Sequence, residues 1–187
     1  ENFTAKKFLF VGQEALSGDL AWSVKKEGHA VKMFFKSKAD TDVYDGFLDK
    51  VENWEDHKDW ADIIVFDNVG FGAISDRLRK SGKLVVGGSA YTDRLEEDRD
   101  FGQQELKKYG VNILPSFTFT SYDEAIEFIK KNPDRYVFKP SGNVPSAFKS
   151  LSFVGQEEDG RDMLEAFIQN KHILQKKSQI FQLQKYM

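Results

Sequence analysis

The chain reads as an α/β protein in two parts: a parallel, doubly wound sheet over residues 1–114, then a region of α+β character over residues 115–187. Three observations predict this. Continuous apolar runs such as Phe8-Leu9-Phe10-Val11 and Ile63-Ile64-Val65-Phe66 suit strands buried on both faces, as in parallel sheets. Strand and helix patterns alternate with short connections as far as Gly110. Beyond Pro115 the order becomes strand, loop, strand around Lys139, which is hairpin-like and breaks the βα rhythm.

Taken in order, Lys6 to Gly12 is a strand ending in glycine, and Ser17 to Glu27 carries helical spacing of Leu20, Trp22 and Val24 closed by Gly28. Ala30 to Lys36 is a second strand, followed by a polar segment with acidic and aromatic residues. Ala61 to Asp67 is the clearest buried strand. A helix over 73–80, capped by Gly82, leads to a strand at Lys83 to Gly88, and a helix over 95–109 ends at Gly110. Pro115 makes residues 112–119 an irregular or edge strand. A helix over 122–131, a strand over 136–139, a polar loop, a strand over 151–154, a helix over 160–170 and a strand over 179–186 complete the chain. Val-Gly-Gln-Glu occurs at 11–14 and at 154–157, but the flanks do not match, so there is no internal repeat.

Composition narrows the function classes. The 187 residues are 40% hydrophobic with 17 Phe, enough for a real core, and the net charge of −3 gives no general attraction to nucleic acid or to an anionic membrane. A small ligand is the expected partner. The chain has no cysteine, which excludes disulfides, thiol catalysis and thiolate metal sites and fits a reducing, cytoplasmic location. No apolar stretch approaches the roughly 20 residues that span a bilayer. The three histidines, His29, His57 and His172, lack metal-ligand spacing, so no metal site is expected.

Three segments carry candidate chemistry. The turn containing Gly12, Gln13, Ser17 and Gly18 lies where an α/β sheet presents helix-start N–H groups to an anion, although it is not a G-x-G-x-x-G fingerprint and Glu14 and Asp19 disfavour a dinucleotide. Asp67, Asn68 and Gly72 follow the Ala61 to Asp67 strand and end at the same carboxyl edge, so the two loops are expected to share a substrate pocket. Lys139 ends an apolar strand, and a strongly hydrated ammonium placed there points to a paired or ligand-directed charge. Ser141, Gly142 and Lys149 lie in or beside the loop that follows, which can fold over phosphates. No nucleophile elbow or triad is present, and no catalytic residue is assigned.

Phe8-Leu9-Phe10-Val11-Gly12 with Asp19-Leu20-Ala21-Trp22, Leu95 to Phe101, Tyr136-Val137-Phe138-Lys139-Pro140 and Gln182 to Met187 together resemble the ATP-grasp ligases, nearly along the whole chain, in particular the amino-terminal part of phosphoribosylamine–glycine ligase of purine biosynthesis. The resemblance implies a Rossmann-like pre-ATP-grasp domain (1–114) and an incomplete ATP-grasp lobe (115–187), truncated before its metal-binding part. It further implies that Lys139 contacts the nucleotide, that Arg99 stands where the family usually has lysine, and that the 142–150 loop takes the place of the phosphate lid. By the same resemblance, Gln184, Lys185, Tyr186 and Met187 take the place of the adenine hinge, with Gln184 in place of a usual glutamate. Gly12 to Gly18 and Asp67 to Gly72 depart from the family's glycine-rich turn and Gly-Pro-Glu segment.

ATP is therefore the expected cofactor, at a weak or partial site, with Mg²⁺ in a complete enzyme. The expected partners are an adenine nucleotide and a small anionic substrate, with a homo-oligomer or a complementary ATP-grasp chain as further partners through an open edge of the last strand. The chain is expected to be inactive alone. The alternative is a non-catalytic small-anion or nucleotide-binding module with a Rossmann-like fold.

Overall fold

β1 (Lys7–Gly12), β2 (Ala30–Phe35), β3 (Asp49–Lys50), β4 (Ile63–Phe66) and β5 (Leu84–Val86) pair in parallel in the order β3-β2-β1-β4-β5. A computed structural model describes residues 4–141 and 151–187, in two compact units, Glu1–Asp93 and Arg94–Met187, each with its own core. In the first unit, alternate residues of the apolar runs serve opposite faces. Phe10, Val31, Met33 and Val65 pack with Ala21 of α1 (Gly18–Lys26). Leu9, Val11, Ile64 and Phe66 pack with Trp54 and Phe71, and Ile74 and Leu78 of α2 (Gly72–Lys80) lie against them. Burial on both faces is the reason that these strands carry no polar alternation. β3 is two residues long and lies in the polar 37–60 segment, where no strand was expected.

The helix expected over 95–109 is two: α3 (Ala90–Glu97) and α4 (Arg99–Lys108). Asp98 separates them because its backbone is extended (φ −102°, ψ 91°) and its carboxylate accepts the Phe101 N–H, starting a new helix. The boundary between the units falls inside α3, so α4 belongs with the second unit, not with the 1–114 part. It is tied there by the Gln103–Ser116 hydrogen bond of 2.8 Å.

The second unit is an antiparallel sheet of β6 (Ser116–Phe119), β7 (Tyr136–Ser141), β8 (Phe153–Val154) and β9 (Ile180–Lys185) in the order β6-β9-β7-β8. Its residues alternate cleanly. Phe117, Phe119, Tyr136, Phe138, Phe181 and Leu183 share one face and pack against α5 (Tyr122–Lys131) and α6 (Arg161–Lys177). From α5 come Tyr122, Ala125, Ile126 and Ile129, spaced for one side of a helix, and from α6 come Met163 and Phe167. The expectation of an open edge on the final strand is corrected: β9 lies between β6 and β7, with both edges paired. No described helix is long and apolar enough to cross a membrane.

Candidate functional site

The opposite face of the second unit's sheet is polar. Register places Lys139 opposite Gln182, Val137 opposite Gln184, Thr118 opposite Gln182 and Ser116 opposite Gln184, so these side chains project together. Lys139 does not end its strand as expected, because β7 continues to Ser141. Pro140 is tolerated there for a geometric reason. Its backbone faces the β8 side, and β8 pairs with β7 only at Val137 and Phe138, so no ladder hydrogen bond is lost. The Pro140 carbonyl accepts instead from Arg99 Nε at 2.8 Å.

That bond brings Arg99 to Lys139, although 40 residues separate them in sequence. Burial pushes the Lys139 ammonium below the ordinary lysine range, and the nearby Arg99 charge lowers it further. Lys139 Nζ donates to Gln184 Oε1 at 2.5 Å. The acceptors of both cations are thus neutral oxygens, an amide and a backbone carbonyl. Two positive charges held on neutral acceptors form a place that an anion stabilises.

Of the other expected nucleotide residues, Ser141 and Gln184 are buried in this sheet. Lys185 and Tyr186 are engaged elsewhere: Lys185 Nζ pairs with Asp134 at 2.6 Å, and the Tyr186 ring lies 3.5 Å from the Arg135 guanidinium. Arg135 Nε also donates to the Gly155 carbonyl at 2.6 Å, so one side chain links the end of β9 to the segment after β8. Gly142 and Lys149 lie outside the described residues. Gln182 and Thr118 join the polar face without having been singled out from sequence. The alternation Phe181-Gln182-Leu183-Gln184 was the signal available for Gln182.

In the first unit the two loops meet at the carboxyl edge between β1 and β4, as expected. Their donors, however, are already used within the chain. Ser17 N–H donates to Asp67 Oδ2 at 3.1 Å, Gln13 N–H to Asn68 Oδ1 at 2.7 Å, and Gly72 N–H to Asp93 Oδ2 at 2.7 Å. Gly12 permits this closure, since a Cβ there would sit 2.6 Å from Asp67 Oδ1. Gly18 opens α1, buried against the Tyr44 ring. The Asp67 carboxylate therefore stands where an anion would be received at the start of α1. Its Oδ1 and the Ser17 hydroxyl are buried without hydrogen-bond partners. Among the described residues no group of three or more His, Asp or Glu side chains is placed to hold a metal ion.

No family model matches the chain. It is 30% identical over 91 residues to phosphoribosylamine–glycine ligase of Methanocorpusculum labreanum, a match covering 48% of this chain and 21% of that protein. Its fold is similar to N5-carboxyaminoimidazole synthetase of Staphylococcus aureus in complex with ADP, with a TM-score of 0.66 and 17% identity over 97% of this chain and 47% of that one. It is likewise similar to phosphoribosylamine–glycine ligase of Thermotoga maritima, with a TM-score of 0.69 and 16% identity over 97% of this chain and 44% of that one. The chain shares the fold of these structures and spans about half their length.

Proposed function

We propose that the chain supplies the nucleotide-holding face and the substrate loops of an ATP-dependent carboxylate–amine ligase resembling phosphoribosylamine–glycine ligase. One observation carries this reading: Lys139 and Arg99 are brought together on neutral acceptors at the polar face of an antiparallel sheet. In it, Lys139 exchanges Gln184 for a phosphate oxygen, and Arg99 adds a second positive charge with a different, planar geometry. Gln184, released, is free to meet the base, and the backbone from Lys185 to Met187 forms the hinge beside it, held by Asp134 and Arg135.

The first unit is read as the Rossmann-like pre-ATP-grasp domain. Its strand order reverses between β1 and β4, where doubly wound sheets receive ligands, which supports Gly12 to Gly18 and Asp67 to Gly72 as the substrate edge. In such a ligase ATP phosphorylates a carboxylate, and an amine then displaces phosphate from the acyl phosphate. Mg²⁺ belongs to that chemistry; among the described residues no group of three or more His, Asp or Glu side chains converges, and no step is assigned through the metal. The 187 residues alone are proposed to hold nucleotide without turnover, in a cytoplasmic setting. A second copy or a complementary ATP-grasp chain is the partner proposed to complete them. A stand-alone small-anion module built on the first turn is the second reading; in either reading an incoming anion competes with Asp67, which takes the Ser17 N–H.

Titration calorimetry with ATP tests the reading. Lys139→Ala is expected to weaken binding at least tenfold, the loss of roughly 1.5–3 kcal/mol for a charge-assisted hydrogen bond. Equal affinity for the two proteins would remove Lys139 from the site. Phosphate release by the purified chain with ATP, Mg²⁺, carboxylates and amines would contradict the proposal of no turnover.

A further inference from the structure

We propose that Gln182 is a specificity-determining residue of the polar face and that its Oε1 accepts a hydrogen bond from the exocyclic amino group of the bound nucleobase. The proposal rests on the nucleotide reading above. Gln182 is 1% exposed, lies directly opposite Lys139 in register, and shares the face of Lys139 and Gln184. Its amide nitrogen is held by Thr118 Oγ1 at 3.3 Å, whereas Oε1 is buried without a donor. A buried amide oxygen left unpaired forfeits its hydration without replacement, so a donor arriving with a ligand recovers that loss. The donor must be an N–H or O–H. Phosphate oxygens are acceptors and are served instead by the two cations. Thr118, one strand away, is exposed, which opens the face beside Gln182 to solvent. The Lys139 stem has freely rotating bonds, so drawing its ammonium from Gln184 to a phosphate clears the space opposite Gln182.

The test compares binding of ATP, inosine triphosphate and 2′-deoxyATP to the full chain and to Gln182→Met, which keeps the volume and removes the acceptor. The unaltered chain should prefer ATP to inosine triphosphate by at least tenfold, and Gln182→Met should bring that ratio close to one while leaving the ATP/2′-deoxyATP ratio unchanged. An unchanged ATP/inosine ratio in the variant overturns the assignment. So does loss of the deoxyribose discrimination instead, which would place a ribose hydroxyl at Oε1, or a preference for inosine triphosphate, which would mean that the amide presents its NH₂. If Gln182→Met does not fold, equal binding of the two bases by the unaltered chain overturns it as well. Failure of the unaltered chain to bind any of the three refutes the nucleotide reading itself, an outcome distinct from a preserved ratio.

Discussion

Replacing Phe181 with alanine should be among the most damaging single changes in the second unit, and its cost follows from the contacts of one ring. Phe181 is fully buried and stacks on Tyr122 with centroids 4.2 Å apart and planes at 19°. It also meets Phe138 at 5.4 Å, Phe167 at 5.7 Å and Phe119 at 5.8 Å. It therefore joins β6, β7, α5 and α6 at one point. Truncation of a buried Phe costs about 3–5 kcal/mol. Each aromatic pair adds about 0.5–1.5 kcal/mol beyond burial, without strict additivity, which favours the upper end of that range. A unit of the size of Arg94–Met187 has a total stability of roughly 5–14 kcal/mol, so a third or more of it is at stake. Urea unfolding followed by far-UV circular dichroism measures the loss. Ile180→Ala is the control, because the adjacent side chain is 42% exposed and should cost less than about 1 kcal/mol. A loss below about 1.5 kcal/mol for Phe181→Ala would refute the picture of a single aromatic hub beneath the polar face.

Two further outcomes are expected. Because burial and then Arg99 hold Lys139 below the ordinary lysine value, ATP binding should take up a proton in the alkaline range. Affinity should be flat below the depressed value, fall as pH rises through it, and lose this pH dependence in Lys139→Ala; calorimetry in buffers of different ionisation enthalpy reads the proton count. In the first unit, Gly72→Ala would set a Cβ 2.1 Å from the Ser89 carbonyl oxygen and 2.2 Å from its carbon. Backbone cannot swing aside as a side-chain tip can, so a loss of about 1–3 kcal/mol or more in unfolding free energy is expected, and an unchanged thermal midpoint would contradict the close approach.

Much of the architecture was legible in the sequence because its signals are local. The apolar runs ending at Gly12 and Asp67 mark strands covered on both faces, and Tyr122 to Lys131 is a helix at the expected residues because its apolar positions and Ser121 cap agree. The alternation in Phe181 to Gln184 already separates an apolar face from a polar one. The break at Asp98 was missed, since a carboxylate in a charged run reads equally as a solvated helix face or as a cap.

The sequence by itself determined where most strands and helices lie and which of their faces are apolar, since spacing along the chain encodes those; β3, the break at Asp98 and the run of α6 on to Lys177 lay outside that local signal. Tertiary structure alone decided which partners meet. It placed β9 between β6 and β7 and not at an edge, brought Arg99 to the carbonyl beside Lys139, and turned Asp67 into the first turn, where it takes the donor that an incoming anion would need. Whether an N–H or an ammonium is free or already engaged depends on groups 40 to 50 residues away, and only chain pairing brings those within hydrogen-bond distance.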